Sequence, residues 1–193
     1  MNNYYQYEDS RLLAAIKEQG PGSEYAFNEV YSRYSDKLYS YCLFKSDNEM
    51  DAQEVFQDTW LRFLDSVKKG RNVTAVNAWL YKTARNLSID KYRQNRRKSP
   101  DAMNEYDMGL LTDPLNLHIR LENDELLSII GLAVNNLSEI YKEAFLLVWF
   151  SGLNYSEIAE ITGETTDCIK KRSYRAMEQV LAIMEPIIND IAK

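Results

Sequence analysis

Residues 137–181, LSEIYKEAFLLVWFSGLNYSEIAEITGETTDCIKKRSYRAMEQVL, restrict the C-terminal part of this chain to one arrangement. The order is helix, tight break, short helix, glycine turn, longer basic helix. Asn154 can cap the short helix, with Glu157 three residues on to close a capping box. Ile158, Ala159 and Ile161 give that helix an apolar side. Gly163 tolerates the positive φ that a sharp turn requires, and Thr165 caps the longer helix. This is helix-turn-helix grammar, in which the second helix is offered to the major groove of DNA.

The second helix is tested by its wheel. At about 100° per residue, Ile169, Ser173, Ala176, Val180 and Met184 fall on one face, expected to be the core side. Asp167, Cys168, Lys171, Arg172 and Arg175 lie opposite. A basic outward face on a capped helix suits phosphate and base-edge contact. It equally suits an ordinary packed helix with a solvated side, and the wheel by itself does not separate the two. Glu164 and Asp167 weigh against tight DNA binding, because both carboxylates stand where phosphates would approach.

The rest of the chain reads as helical. Gly (7) and Pro (4) are scarce in 193 residues, and no stretch alternates with period two between turn signals, so the expected class is all-α. There is no apolar run of about 18 residues, so no membrane insertion is expected. The start, MNNYYQYEDSR, lacks the basic-then-apolar order of a signal peptide. Cys42 and Cys168 suit a reducing cytosol as free thiols, and His118 has no His or Cys company for zinc. Without a phosphate loop or a metal cluster, neither catalysis nor a cofactor is expected. The net charge of −6 hides a sharp asymmetry. Residues 79–98 hold seven basic side chains against Asp90 alone, and residues 101–137 hold seven carboxylates against Arg120 alone.

Helices are expected at about 9–18, 23–45, 48–69, 74–97, 119–135, 138–150, 155–162 and 165–184. Breaks fall at Gly20-Pro21-Gly22, at residues 70–73 and at Ser99-Pro100. Two small helical domains, 10–98 and 119–184, would then be joined by an acidic flexible linker, 99–118.

Two helices of the first half are two-faced. In the third, Ala52, Val55, Phe56, Phe63 and Val67 should face a core, while Glu54, Asp58, Leu61 and Asp65 run up the other side beside Gln57. A leucine among carboxylates is either one more exposed apolar residue or, with Trp60, an anchor for a basic partner. In the fourth, Val76, Leu80, Ala84 and Leu87 point inward. Lys82, Arg85, Asn86, Ile89, Arg93 and Arg96 lie within roughly 100° of one another on the other side. With Trp79 and Tyr92 flanking, this stripe suits nucleic acid.

The order of motifs resembles that of an extracytoplasmic-function (ECF) sigma factor of bacterial RNA polymerase. FNEVYSRYSDKLYSYCL is followed by DAQEVFQDTWLRFLDSV, AWLYKTARNLSIDKYRQNRRK, an acidic stretch and the helix-turn-helix. The resemblance implies that residues 10–98 form sigma region 2 and 119–184 form region 4. It implies docking on the polymerase β′ clamp through Asp51, Glu54, Gln57, Asp58, Trp60 and Leu61. Lys69, Arg71, Asn72, Thr74, Trp79, Lys82, Arg85, Asn86, Arg93 and Arg96 would read and melt the −10 element. Thr165, Thr166, Cys168, Lys171, Arg172 and Arg175 would read the −35 element. The implied partners are core RNA polymerase (β′ clamp and β flap), promoter DNA, and an anti-sigma factor or other regulatory protein, in the bacterial cytoplasm. The crowded front of the recognition helix leaves room for another protein to help deliver the chain to promoters. The competing expectation is a helix-turn-helix regulator that is not a polymerase subunit, which would need a receiver or ligand domain that residues 1–98 do not suggest.

Overall fold

The structure is a computed structural model and describes residues 7–98 and 125–191. Eight α-helices are found among them: α1 Asp9–Glu18, α2 Ser23–Lys45, α3 Glu49–Lys68, α4 Val76–Lys98, α5 Glu125–Asn135, α6 Glu139–Phe145, α7 Tyr155–Thr162 and α8 Thr166–Ile191. There is no strand among the described residues, and none of their helices is long and apolar enough to cross a membrane. The expected linker 99–118, His118 and the first residues of the expected helix 119–135 lie outside the described residues.

Two compact units emerge, the first within residues 1–91 and the second holding α5 to α8. The first is built on the faces expected for its helices. Ala52, Val55, Phe63 and Val67 of α3 and Val76, Leu80, Ala84 and Leu87 of α4 are all buried. Leu12 and Ile16 of α1 and Val30, Leu38 and Tyr41 of α2 are buried as well, and the Tyr41 ring lies 5.1 Å from that of Tyr81 on α4. Rings run through this core. Trp60 lies 4.8 Å from Tyr31, 5.8 Å from Phe27 and 5.6 Å from Phe63, and Phe63 continues to Trp79 at 5.7 Å. The Tyr31 pair is tilted and the other three are edge-on, and edge-on packing adds about 0.5–1.5 kcal/mol per pair beyond area burial. On α2, Arg33 donates to Glu29 (2.7 Å) and to Asp9 of α1 (3.0 Å), and the Tyr34 hydroxyl also donates to Asp9.

In the second unit Ile158, Ile161, Ile169, Ala176, Val180 and Met184 are buried with Leu146, Leu147 and Leu153. Two boundaries differ from expectation. The helix expected to span 138–150 leaves α geometry at Leu146 and closes as a π turn, Leu146–Phe150, in which the Ser151 N–H reaches the Leu146 carbonyl (3.2 Å). Buried Ser151 drives this change. Its hydroxyl donates to the Leu147 carbonyl and accepts from the Leu153 N–H (3.0 Å), which turns the chain into the break before α7. The spacing predicts an end of the last helix at residue 184, yet α8 continues through Pro186 to Ile191. A proline removes a single intrahelical hydrogen bond, which can kink a helix without ending it.

Candidate functional site

The α3–α4 connection aims side chains at the first candidate site. Gly70 takes a left-handed φ of 66°. Its N–H bonds the Val67 carbonyl (2.9 Å) and the Arg71 N–H bonds the Ser66 carbonyl (2.9 Å). This is a Schellman ending, which only glycine adopts without strain. It folds Arg71 back against the end of α3. There Arg71 lines an open cleft of about 480 Å³ with Leu61, Arg62, Asp65, Ser66, Trp79, Thr83 and Asn86. Arg71, Trp79 and Asn86 are residues the sequence nominated. Arg62, Ser66 and Thr83 are ones it missed, although Thr83 stands one turn from Trp79 and shares its helix face, so the period alone could have found it.

The other nominated residues divide by exposure. Lys82 and Asn86 are exposed, Arg85 and Ile89 are half-buried, and Arg93 and Arg96 are exposed further along α4. Arg96 donates to the Tyr92 hydroxyl (2.8 Å). Asn72 and Thr74 are exposed on the connection but do not line the cleft. Lys69 pairs with Asp65 (2.7 Å), and this bond holds the Asp65 carboxyl below its ordinary range.

The outward row of α3 is present, and two further residues nominated for docking stand apart from it. Leu61 is 65% exposed, Glu54, Gln57 and Asp65 are exposed, and Asp58 is half-buried. Trp60 is not on that face. It is 6% exposed and sits in the ring cluster, because its position follows Phe56 and Phe63 around the helix rather than Leu61. Asp51 is also buried, and Lys91 of α4 reaches it at 3.3 Å while bonding Glu54 as well. The bond to Glu54, with that to Asp51 in support, raises the Lys91 ammonium above its ordinary value. Glu54 was expected outward from the helical period and Asp51 was nominated by the resemblance alone, and neither shows that a lysine on another helix would claim the carboxylates. Leu61 and Asp65 also line the cleft, so the α3 row and the cleft meet at these residues.

The second candidate site is the helix-turn-helix of α7 and α8. Asn154 accepts from the N–H groups of Ser156 (2.9 Å) and Glu157 (3.0 Å), and Glu157 accepts from the Asn154 N–H (2.8 Å), so the capping box is closed. Gly163 takes φ 75°, and its N–H bonds the Ala159 carbonyl (2.9 Å). Thr165 accepts from the Cys168 N–H (3.2 Å) and so starts α8. All five residues expected on the core side of α8 are buried, with Ser173 and Ala176 fully so. Thr165, Asp167, Lys171 and Arg175 are exposed, while Thr166, Cys168 and Arg172 are half-buried. Arg172 is not simply outward. Its guanidinium donates to Glu164 in the turn (3.0 Å). The Glu164 carboxylate, which from sequence alone opposed DNA, thus has a cation beside it.

Comparison with known proteins finds two family matches in separate parts of the chain. Residues 30–98 match the Sigma-70 region 2 family and residues 127–180 match Sigma-70, region 4. The ECF RNA polymerase sigma factor EcfG of Rhodopseudomonas palustris is 33% identical over 76% of this chain and 78% of its own. The ECF RNA polymerase sigma-E factor of Haemophilus influenzae is 28% identical over 95% of this chain and 98% of its own. Among solved structures, the sigma factor RpoE in complex with the anti-sigma factor NepR from Bartonella quintana has a similar fold. Its TM-score is 0.64 at 21% identity, over 91% of this chain and 95% of that one.

Proposed function

This chain belongs to the ECF sigma factors of bacterial RNA polymerase, and from that premise we propose how its surfaces divide the work. As a sigma factor it binds core RNA polymerase and directs promoter-specific initiation. It acts as a dissociable subunit in the cytoplasm, where that polymerase works, with no chemistry of its own. Residues 10–98 form the part that docks and opens the −10 element, 99–118 the tether, and 119–184 the part that reads the −35 element. On α3, Glu54, Gln57, Asp58 and Leu61 meet the basic β′ clamp, with Leu61 as the apolar anchor. The helix-turn-helix unit adds contact to the β flap, and an anti-sigma factor holds the chain when it is not in use.

The cleft beside Gly70 carries the −10 assignment. An unstacked base entering it meets the Trp79 ring for stacking and Asn86, Ser66 and Arg71 for hydrogen bonding. Lys82, Arg85 and Arg93 along α4 supply positive charge for the backbone of the opened strand. On α8, Lys171 and Arg175 contact DNA with Thr165, Thr166, Cys168 and Arg172 at the front of the helix. A regulator working without polymerase would leave the acidic row around Leu61 without a use.

The test is reconstitution. Core RNA polymerase with and without this chain is given genomic DNA, and the 5′ ends of the transcripts are sequenced. A set of starts that needs the chain and shares upstream elements at −10 and −35 is expected. Failure to redirect the polymerase, with the chain folded and present in excess, would refute the assignment.

A further inference from the structure

The turn between α7 and α8 carries side-chain hydrogen bonds beyond its two caps, and they end on Arg172. Thr162 donates its hydroxyl to the Ile158 carbonyl (2.8 Å) and accepts from the Glu164 N–H (3.4 Å). The Glu164 backbone is therefore tied to the end of α7. Its carboxylate then takes a hydrogen bond from Arg172 Nη1 (3.0 Å), eight residues on and in the second turn of α8. Arg172 keeps 27% of its side chain exposed. Only one arm of its planar fork is engaged by Glu164, and a guanidinium has further N–H donors for an acceptor outside the protein. On α8, Lys171 and Arg175 lie on the solvent side and Arg172 on the flank between them and the core.

We infer that Glu164 is a positioning and specificity-determining residue, which holds the Arg172 guanidinium so that its remaining donors meet a base edge rather than a phosphate. The inference rests on the assignment of α8 to the −35 element. The physical reasons are two. A long side chain loses rotamer freedom whenever it binds, and a carboxylate fixed to the turn removes that freedom before DNA arrives. A carboxylate at the front of the helix also repels phosphates, so it lowers affinity for any sequence, while an oriented guanidinium raises affinity only for sequences with an acceptor in the right place. Glu164 thus gives up affinity shared by all sequences and sharpens the difference between them.

The experiment uses the full chain bound to core RNA polymerase and a promoter found by mapping transcript starts. Binding is measured on that promoter and on one with its −35 element replaced, and the ratio of the two affinities is the readout. Arg172→Ala should lower the ratio by about tenfold, the loss expected for one good side-chain-to-base contact. Glu164→Gln should lower it by a similar factor while affinity for the replaced promoter holds or rises, since a repelling charge has gone. In Arg172→Ala chains, adding Glu164→Gln should leave the ratio where it was, because the two side chains act as one unit. Glu164→Asp, which keeps the charge on a shorter arm, should restore part of the ratio.

Three results would overturn the inference. One is an unchanged ratio for Glu164→Gln where Arg172→Ala lowers it. Another is an equal drop from Glu164→Gln with or without Arg172. The third is loss of affinity on both promoters together with a lowered melting temperature, which would make Glu164 a folding residue only. An unchanged ratio for Arg172→Ala would instead remove Arg172 from the −35 reading, and the inference with it, while transcript mapping still judges the sigma assignment itself.

Discussion

Leu61 and Trp60 are neighbours in sequence with opposite fates, and replacing each separates docking from folding. Leu61 is 65% exposed and Trp60 is 6% exposed within its cluster of rings. Full burial of a leucine side chain is worth about 1.5–3 kcal/mol. If docking buries the two-thirds that is open, Leu61→Ala should weaken polymerase binding by about 1–2 kcal/mol, or roughly 5–30-fold. The free protein should hardly notice, since the removed atoms face water. Trp60→Ala should do the reverse, destabilising the first unit by about 3–5 kcal/mol through the cavity it leaves.

The assay is competition binding of purified chain to core polymerase, alongside thermal unfolding of each variant. Asp58→Arg added to Leu61→Ala should abolish binding, because it sets a cation against a basic partner. Unchanged polymerase affinity for Leu61→Ala would refute the docking argument. If that same variant failed to open promoters, Leu61 would belong to the cleft it also lines and not to the docking face.

Other residues give outcomes of their own. Asn154→Ala opens the capping box and should cost about 1 kcal/mol, seen as a melting temperature lowered by some 4–8 °C for the unit of α5 to α8. Burial pushes the Cys42 thiol up to about 12, so iodoacetamide at pH 8 should label half-exposed Cys168 in the native chain and Cys42 only after unfolding. Promoter DNA in the holoenzyme should slow labelling of Cys168. Arg85→Ala with Asn86→Ala should shrink the permanganate-reactive −10 bubble while Lys171→Ala and Arg175→Ala lose their effect once the −35 element is removed. A bubble of normal size with both Arg85 and Asn86 replaced would make α4 a solvated structural helix.

Local period and local hydrogen bonding decide the parts of this fold that are legible in the sequence. Apolar spacing marks the core faces of α3, α4 and α8. Asn154, Glu157 and Gly163 mark the α7 cap and turn, and their partners are all within a few residues. Two of the misplacements come from contacts between distant residues. Asp51, nominated for docking by the resemblance, is claimed by Lys91, forty positions on, and Glu164 looks like an obstacle until Arg172 folds back to it. Trp60 is misplaced for another reason. An aromatic beside Leu61 reads as sharing its face, when one residue of advance turns a helix by about 100°. The cleft itself is not legible in the connection's sequence, because it is made by Gly70 returning the chain so that Arg71 lines one side of a hollow with Trp79 and Asn86.

The pairing of charges also explains how an acidic chain can read DNA. Several cations close to the proposed DNA surfaces already have a carboxylate within reach: Lys69 has Asp65, Lys91 has Asp51 and Glu54, and Arg172 has Glu164. Each such pair must be broken or shared before a phosphate gains from it, and phosphate contacts supply most sequence-independent affinity. With a net charge of −6 opposing approach as well, the chain alone gains little from DNA of any sequence. Binding to polymerase changes that balance without altering a single contact. Once polymerase fixes α4 and α8 at the separation of the −10 and −35 elements, contact by either raises the effective concentration of DNA at the other. Weak readers then suffice, and sequence preference survives because neither can bind firmly alone. On this argument the carboxylates that seemed to disqualify the chain keep it off DNA until polymerase brings both readers to a promoter.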